Sequence, residues 1–408
     1  MLYRACWRLG AVGAPVHHQA GPAEVEAMLA TIEPRVWLEP SDVRGAGARL
    51  TALLTDGAAP VVRSAARPAD VAVVLFTSGS TGAPKAVLHT QRGLACKARM
   101  MIAAHRLMAA DSVLMPAPLA HVSGLLNAVL IPGVLPMKAA LMARWDPDDA
   151  LDAIGREGTT FMIGPPTFFV SLMGASSFDH QRVASLRIVS SGGAGVTPAF
   201  VERASAELGA WVKRTYGSTE APTVTTSTPT DPPDRARDTD GRATSPHLRM
   251  RIAGGGELWL RGPELFAGYA SAEQTRAAVT RGWFHTGDVA AVDDDGWLTI
   301  VGRIKDIIIR GGENIAAAEV EGVLEAHPDV RQAVAVGVPD DRLGEQVCAF
   351  VVTAEPFDLD ACRRWFAERG VARFKTPERI VVIDELPVLA AGKPDRAALA
   401  RRTRDLPR

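Results

Sequence analysis

Apolar runs of strand length alternate with helix-length amphipathic stretches through the first half of the chain. Val71–Phe76 (VAVVLF) is an unbroken apolar run and predicts a buried strand. Ala150–Glu157 predicts a helix and Thr160–Ile163 a strand after it. Leu186–Ser190 predicts another strand, followed by a Gly-rich turn and a helix over Pro198–Leu208. This alternation predicts an α/β fold with largely parallel sheets. Thr228–Thr244, rich in Asp, Pro, Thr and Arg, is expected to be a surface loop. Beyond it the pattern changes. Glu257–Arg261, Trp297–Val301 and Ile307–Ile309 are short strand patterns with Gly turns between them, which suggests a small β-barrel-like subdomain or antiparallel sheet. From Lys305 the order becomes mixed α+β: a helix over Ala317–Ala326, strands over Ala333–Val338 and Val347–Val352, a helix over Leu359–Gly370 and a strand over Arg379–Ile383. A boundary near Arg303–Asp306 therefore divides an expected N-terminal domain, residues 1–303, from a small C-terminal domain, residues 304–408.

Composition narrows the function classes. A chain of 408 residues is too long for one small core. Its formal net charge of -1 provides no global field to draw in nucleic acid or an anionic membrane. Cys6, Cys96, Cys348 and Cys362 show no metal-ligand spacing and read as reduced thiols of a cytoplasmic protein. The N-terminus, MLYRACWRLGAVGAPVHH, is unlike a signal peptide. Ser112–Met137 lacks Asp, Glu, Lys and Arg, but Pro116, Pro118, Pro132 and Pro136 interrupt it. Lipid could not satisfy so irregular a backbone, so no membrane span is expected.

Thr77-Ser78-Gly79-Ser80-Thr81-Gly82-Ala83-Pro84-Lys85 directly follows the VAVVLF strand. Small residues let backbone N–H groups curl around phosphate oxygens, hydroxyls add donors, and Lys85 adds positive charge. The spacing is not that of a Walker loop. Tyr216-Gly217-Ser218-Thr219-Glu220 offers an aromatic ring for a base and a carboxylate for Mg²⁺; taken alone, a strand end with a capping Glu explains it better. Gly282–Asp288 (GWFHTGD) ends on an acidic residue suited to ribose hydroxyls, or is an ordinary Asp turn. Gly302–Asp306 (GRIKD), leading to Arg310–Asn314 (RGGEN), and the late Gly392-Lys393 mean little singly.

Together, in this order and spacing, these motifs resemble the adenylate-forming superfamily of acyl-CoA synthetases, luciferases and nonribosomal adenylation domains. The resemblance runs from about Arg4 to Ala400. It implies a carboxylic acid activated by ATP and Mg²⁺ to an acyl-adenylate and passed to coenzyme A, or alternatively to a carrier protein's phosphopantetheine. A non-catalytic nucleotide-binding remnant is a further alternative. By the resemblance, Thr77, Ser78, Gly79, Ser80, Thr81, Gly82 and Lys85 wrap the β and γ phosphates. Tyr216 and Gly217, with Gly192, Gly193 and Ala194, form the adenine site. Thr219 and Glu220 face the phosphates, with Glu220 on Mg²⁺, and Asp288 and Arg303 take the ribose. Lys393 reaches both the substrate carboxylate and the α-phosphate. The C-terminal domain is expected to be mobile about a hinge at Lys305, its rotation exchanging Lys393 for Gly311 and Gly312 at a pantetheine tunnel. Ala86 stands where the family usually has Gly. Relatives carry much of a subdomain ahead of the segment matching Arg4–Pro15, so the N-terminal domain is expected to be incomplete.

Pro118–Gly124 (PLAHVSG) matches the acyl-CoA synthetase form, with His121 either guarding the acyl pocket or packed in the core. Val122 and Ser123 follow it, where amino-acid-activating relatives place an Asp. Gly164 and Pro165 are further pocket candidates. None of these is charged, so the expected acid is apolar: fatty, alicyclic or aromatic. The sequence leaves the oligomeric state open, a homo-oligomer included.

Overall fold

The computed structural model describes residues 2–38, 66–77, 84–389 and 392–403. The described residues form four sheets. The central one has seven strands. Lys138–Leu141, Ser112–Met115, Phe161–Gly164, Ile188–Gly192 and Trp211–Tyr216 lie side by side and parallel. Thr225–Thr226 and Arg242–Ala243 extend the sheet antiparallel. A parallel sheet buried on both faces needs apolar residues on both. Val113 and Met115 therefore join one core cluster, with Leu94 and Met101 of the Gln91–His105 helix, while Leu114 and Met162 join the opposite one. Helices Pro147–Glu157, Pro166–Met173 and Pro198–Leu208 cover that second face. Their starts follow from sequence: Asp146 accepts from the Asp148 and Asp149 amides, Thr197 accepts from that of Phe200, and each helix has Pro in its first positions.

The expected α/β class is therefore observed, as are the strands and helices predicted through this region. The VAVVLF run is a buried strand, Val71–Thr77, but it pairs antiparallel with Lys85–Thr90 in a separate sheet completed by Gly268–Tyr269. The strand after Thr228–Thr244 opens the antiparallel subdomain: Arg249–Ile252, Glu257–Arg261, Trp283–Val292 and Val279–Thr280, with Leu298–Arg303 also on Trp283–Val292. One 3-10 turn, Ile304–Asp306, separates it from the C-terminal sheet. That sheet orders Glu313–Ala316, Ile307–Arg310, Gly344–Thr353 and Val330–Asp340, with Arg379–Val382 parallel to Gly344–Thr353.

Thr228–Thr244 is more than a surface loop. It contains a helix, Pro233–Asp238, and delivers Asp240 to a buried ion pair with Arg214, 2.8 Å. Arg214 sits on a central strand, and its charge needs that partner. Ser112–Met137 resolves into a strand and the helical segments Val122–Leu125, Leu126–Leu130 and Ile131–Val134, the middle one π-helical. No helix among the described residues is long and apolar enough to cross a membrane.

Candidate active site

The parallel strands end on one side at Gly164, Gly192 and Tyr216, and a cleft opens there. Such carboxyl ends are where open α/β sheets place ligands. Lys393 enters this cleft from the C-terminal part of the chain, beside His121, Gly164, Pro165, Gly192, Gly193, Gly217 and Thr219. The Lys393 stem runs against Gly193, where an added Cβ would sit 3.1 Å from Cε. The preceding Gly392 seats the segment: its φ is +77°, an added Cβ would meet Phe168 at 2.5 Å, and its carbonyl accepts from the Thr167 hydroxyl. Only glycine meets both demands. Burial lowers the Lys393 pKa, the charges of Arg303 and Lys305 lower it further, and Asp288 and Glu220 oppose them.

Asp288, 2% exposed, is the centre of a second polar group beside the cleft, near enough for its charge to act on Lys393. It pairs across the ladder with Arg303, whose Nε donates to its Oδ1 at 2.7 Å, while the Tyr216 hydroxyl donates to its Oδ2 at 2.6 Å. Burial, with the Asp288 charge added, pushes the Tyr216 hydroxyl far up and keeps it a donor. Burial works against the Arg303 cation, but the Asp288 carboxylate outweighs it and raises the guanidinium's pKa. Tyr216, Asp288 and Arg303, far apart in sequence, thus form one unit.

Glu220 accepts from the Tyr269 hydroxyl at 2.7 Å, and Lys85 Nζ stands 5.3 Å from the centre of the Tyr269 ring. Tyr269 therefore links the phosphate-loop lysine to the proposed metal ligand. Sequence reasoning missed it; its only signal was an aromatic residue in the run Leu265–Tyr269. His89 was missed too: its Nε2 lies 2.8 Å from the Thr219 carbonyl, and burial lowers its pKa to about 4. Of the phosphate loop, Thr77 and Lys85 face each other as strand partners. Ser78, Gly79, Ser80, Thr81 and Gly82 lie outside the described residues. Among the described residues no group of three or more His, Cys, Asp or Glu could hold a metal. Glu220 is a single carboxylate with one oxygen engaged by Tyr269. A lone carboxylate would suit Mg²⁺ held together with a bound nucleotide, since Mg²⁺ usually takes only one or two carboxylates.

His121 is lowered to about 4 by burial, with the charges of Lys393 and His17 added. Its Nδ1 accepts from the Ser123 amide at 3.2 Å, which leaves the proton of the neutral ring on Nε2. Ala194 follows the Gly192–Gly193 turn but does not line the cleft. Lys305 lies exposed in the 3-10 turn, and Gly311 and Gly312, with φ of +58° and +89°, turn the Ile307–Arg310 hairpin outside the cleft.

The fold thus docks a late lysine against a Gly-rich turn, beside a buried Tyr–Asp–Arg unit. The chain belongs to the family of AMP-binding enzymes: residues 1–270 match the AMP-binding enzyme family, and residues 319–393 match the AMP-binding enzyme C-terminal domain. It is 35% identical over 338 residues to the medium-chain fatty-acid–CoA ligase of Escherichia coli, covering 79% of this chain and 60% of that protein. It is 34% identical to the indoleacetate–CoA ligase of Aromatoleum aromaticum, covering 95% of this chain and 83% of the relative. Among solved structures, ATP-bound MatB from Rhodopseudomonas palustris superposes with a TM-score of 0.85 at 26% identity, covering 99% of this chain and 86% of that one. The chain thus spans only part of the length of these relatives, and less than two thirds of the first.

Proposed function

We propose that the chain is an ATP-dependent carboxylic acid–CoA ligase. It converts acid, ATP and CoA to acyl-CoA, AMP and diphosphate through an acyl-adenylate. The observation that carries this reading is the meeting of Lys393 with Thr219, Gly193 and His121 in a single cleft. A carboxylate attacking the α-phosphorus brings negative charge toward negative charge. Lys393, cationic and withdrawn from water, offsets that repulsion and favours the transition state. Mg²⁺, when bound, neutralises charge on the phosphates. Glu220 would hold it, with Tyr269 fixing the carboxylate's orientation. Asp288 and Arg303 take the ribose hydroxyls, Tyr216 and the Gly192–Gly193 turn the adenine, and Thr77 and Lys85 the outer phosphates.

The second half-reaction follows on rotation about Lys305. Lys393 leaves, and the exposed Gly311–Gly312 turn enters to line the pantetheine path. In this reading residues 1–303 form the adenylation domain and residues 304–408 the mobile one. The acid is apolar: Lys393, which serves its carboxylate, is the one Asp, Glu, Lys or Arg among the described residues that line the cleft, beside Ala117, Val122, Leu126, Ile163 and Pro165 and uncharged hydroxyls such as Ser123 and Thr215, and His121 is neutral. The test is diphosphate release across a panel of carboxylic acids, with and without CoA. Acid-dependent release that yields acyl-CoA only when CoA is present supports the reading. Release followed by transfer only to a phosphopantetheinyl carrier would replace it, and no acid-dependent release would end it.

A further inference from the structure

The loop Gly217–Thr223, which carries Thr219 and Glu220, belongs to no helix or strand. It is folded tightly: the Val224 amide donates to the Tyr216 carbonyl at 2.9 Å, and a Cβ on Gly217 would lie 2.3 Å from the Thr223 nitrogen. Three of its carbonyls are gripped from outside. The Thr219 carbonyl meets His89 Nε2 at 2.8 Å, the Glu220 carbonyl accepts from the Phe266 amide at 2.8 Å, and the Thr223 carbonyl accepts from Lys97 Nζ at 3.1 Å. Thr223 is the strained member. Its φ is +35°, a conformation that a β-branched residue adopts only when its surroundings impose it.

We propose that Lys97, on the Gln91–His105 helix, is a positioning residue that holds this loop in its nucleotide-binding shape; the proposal rests on the ligase reading above. Lys97 is 1% exposed, in a place where an apolar side chain would cost less. Its ammonium has specific work there. It donates to the Thr223 carbonyl and to Thr244 Oγ1, both at 3.1 Å, and that hydroxyl lies 3.3 Å from the same carbonyl. A charged donor on a carbonyl is stronger than a neutral one. The counter-charge is Glu264, also 1% exposed, whose carboxylate oxygens have no hydrogen-bond partner among the described residues; burial lowers the Lys97 pKa to about 8, and the Glu264 charge opposes that shift. Lys97 and Glu264 thus bury two opposite charges whose hydrogen bonds, among the described residues, come only from the lysine, to the Thr223 carbonyl and to Thr244 Oγ1. Thr219, Pro222 and Thr223 all face the cleft, so a shift of the Thr223 backbone moves its wall.

The test separates positioning from mere stability. Binding of MgATP without acid is measured by calorimetry, beside thermal melting, for the wild type, Lys97→Met, Glu264→Gln and the double variant. Lys97→Met is expected to weaken ATP binding by about tenfold or more and to melt lower, because Glu264 is left unpaired. The double variant removes that orphaned charge, so it should regain the melting temperature but not the affinity. Glu264→Gln alone keeps the Lys97–Thr223 bond and should bind ATP as the wild type does. A double variant with wild-type affinity overturns the proposal, as does Glu264→Gln that binds as poorly as Lys97→Met. Should the Lys97 variants fail to fold, Thr244→Val decides: it removes the second anchor, weakened ATP binding is expected, and unchanged binding overturns the proposal. A wild-type chain that binds no ATP would count against the ligase reading itself.

Discussion

Gly392→Ala isolates the docking of the lysine-bearing segment. A Cβ at this position would lie 2.5 and 2.6 Å from Phe168 Cε1 and Cζ, and 3.0 Å from Pro165 Cγ. Phe168 is held by Trp145, with ring centres 4.6 Å apart, and packs closely on the bare backbone of Gly164, where a Cβ would lie 2.7 Å from its Cδ2. The methyl is also strained by the +77° φ, but that cost belongs to the turn itself, closed by the Leu389 amide on the Lys393 carbonyl. Under the proposed rotation it would be carried in either domain orientation. Only the collision with Phe168 and Pro165 would be specific to the docked state. Overpacking of this kind costs about 1–3 kcal/mol, which disfavours docking roughly 5- to 150-fold. Acid-dependent exchange of diphosphate with ATP should fall by that factor. Thioester formation from supplied acyl-adenylate and CoA should fall far less. Equal losses in both assays, or an unchanged exchange rate, would refute the docking argument.

Lys393→Ala should lower adenylation by about 10²- to 10³-fold, the value of a donor aimed at developing charge, while sparing the thioester half-reaction in stopped-flow assays. Because burial lowers the Lys393 pKa, the alkaline limb of adenylation should fall below the ordinary lysine value of 10.5: the cation is the active form, and it is lost as pH rises through the lowered pKa. A pH–rate profile of diphosphate exchange checks this. Glu220→Gln should raise the Mg²⁺ concentration needed for half-maximal turnover, since a neutral amide is a poorer ligand for a hard cation; an identical magnesium titration would remove Glu220 from the metal site. Lys305→Pro should preserve adenylation and slow CoA-dependent turnover by restricting the hinge, and normal turnover in that variant would locate the hinge elsewhere.

The sequence was most legible where chemistry is local. Pro198–Leu208 is a helix over the expected residues, whereas the helix expected over Ala150–Glu157 starts three residues earlier, at Pro147, where Asp146 caps it. Signature motifs were legible because nucleotide chemistry demands fixed residue types at short spacing. What escaped was non-local. VAVVLF reads equally well as a parallel or an antiparallel buried strand, and only its partner Lys85–Thr90 decides. Asp240 looked like one more loop acid because Arg214, which buries it, is 26 positions away. Tyr269 is 49 positions from Glu220, and His89 is 130 from Thr219, so neither contact leaves a pattern along the chain.

The chemistry proposed for the cleft is the joining of a carboxylate to the α-phosphorus of ATP. Incubating the protein with Mg²⁺, a panel of apolar acids and ATP radiolabelled at its α-phosphate, first without and then with CoA, tests it most directly. A labelled acyl-adenylate is expected in the absence of CoA, and its conversion to labelled AMP with an equal amount of acyl-CoA when CoA is added. ATP consumed to ADP and phosphate, or no acid-dependent labelled product from a chain that binds ATP, would contradict it.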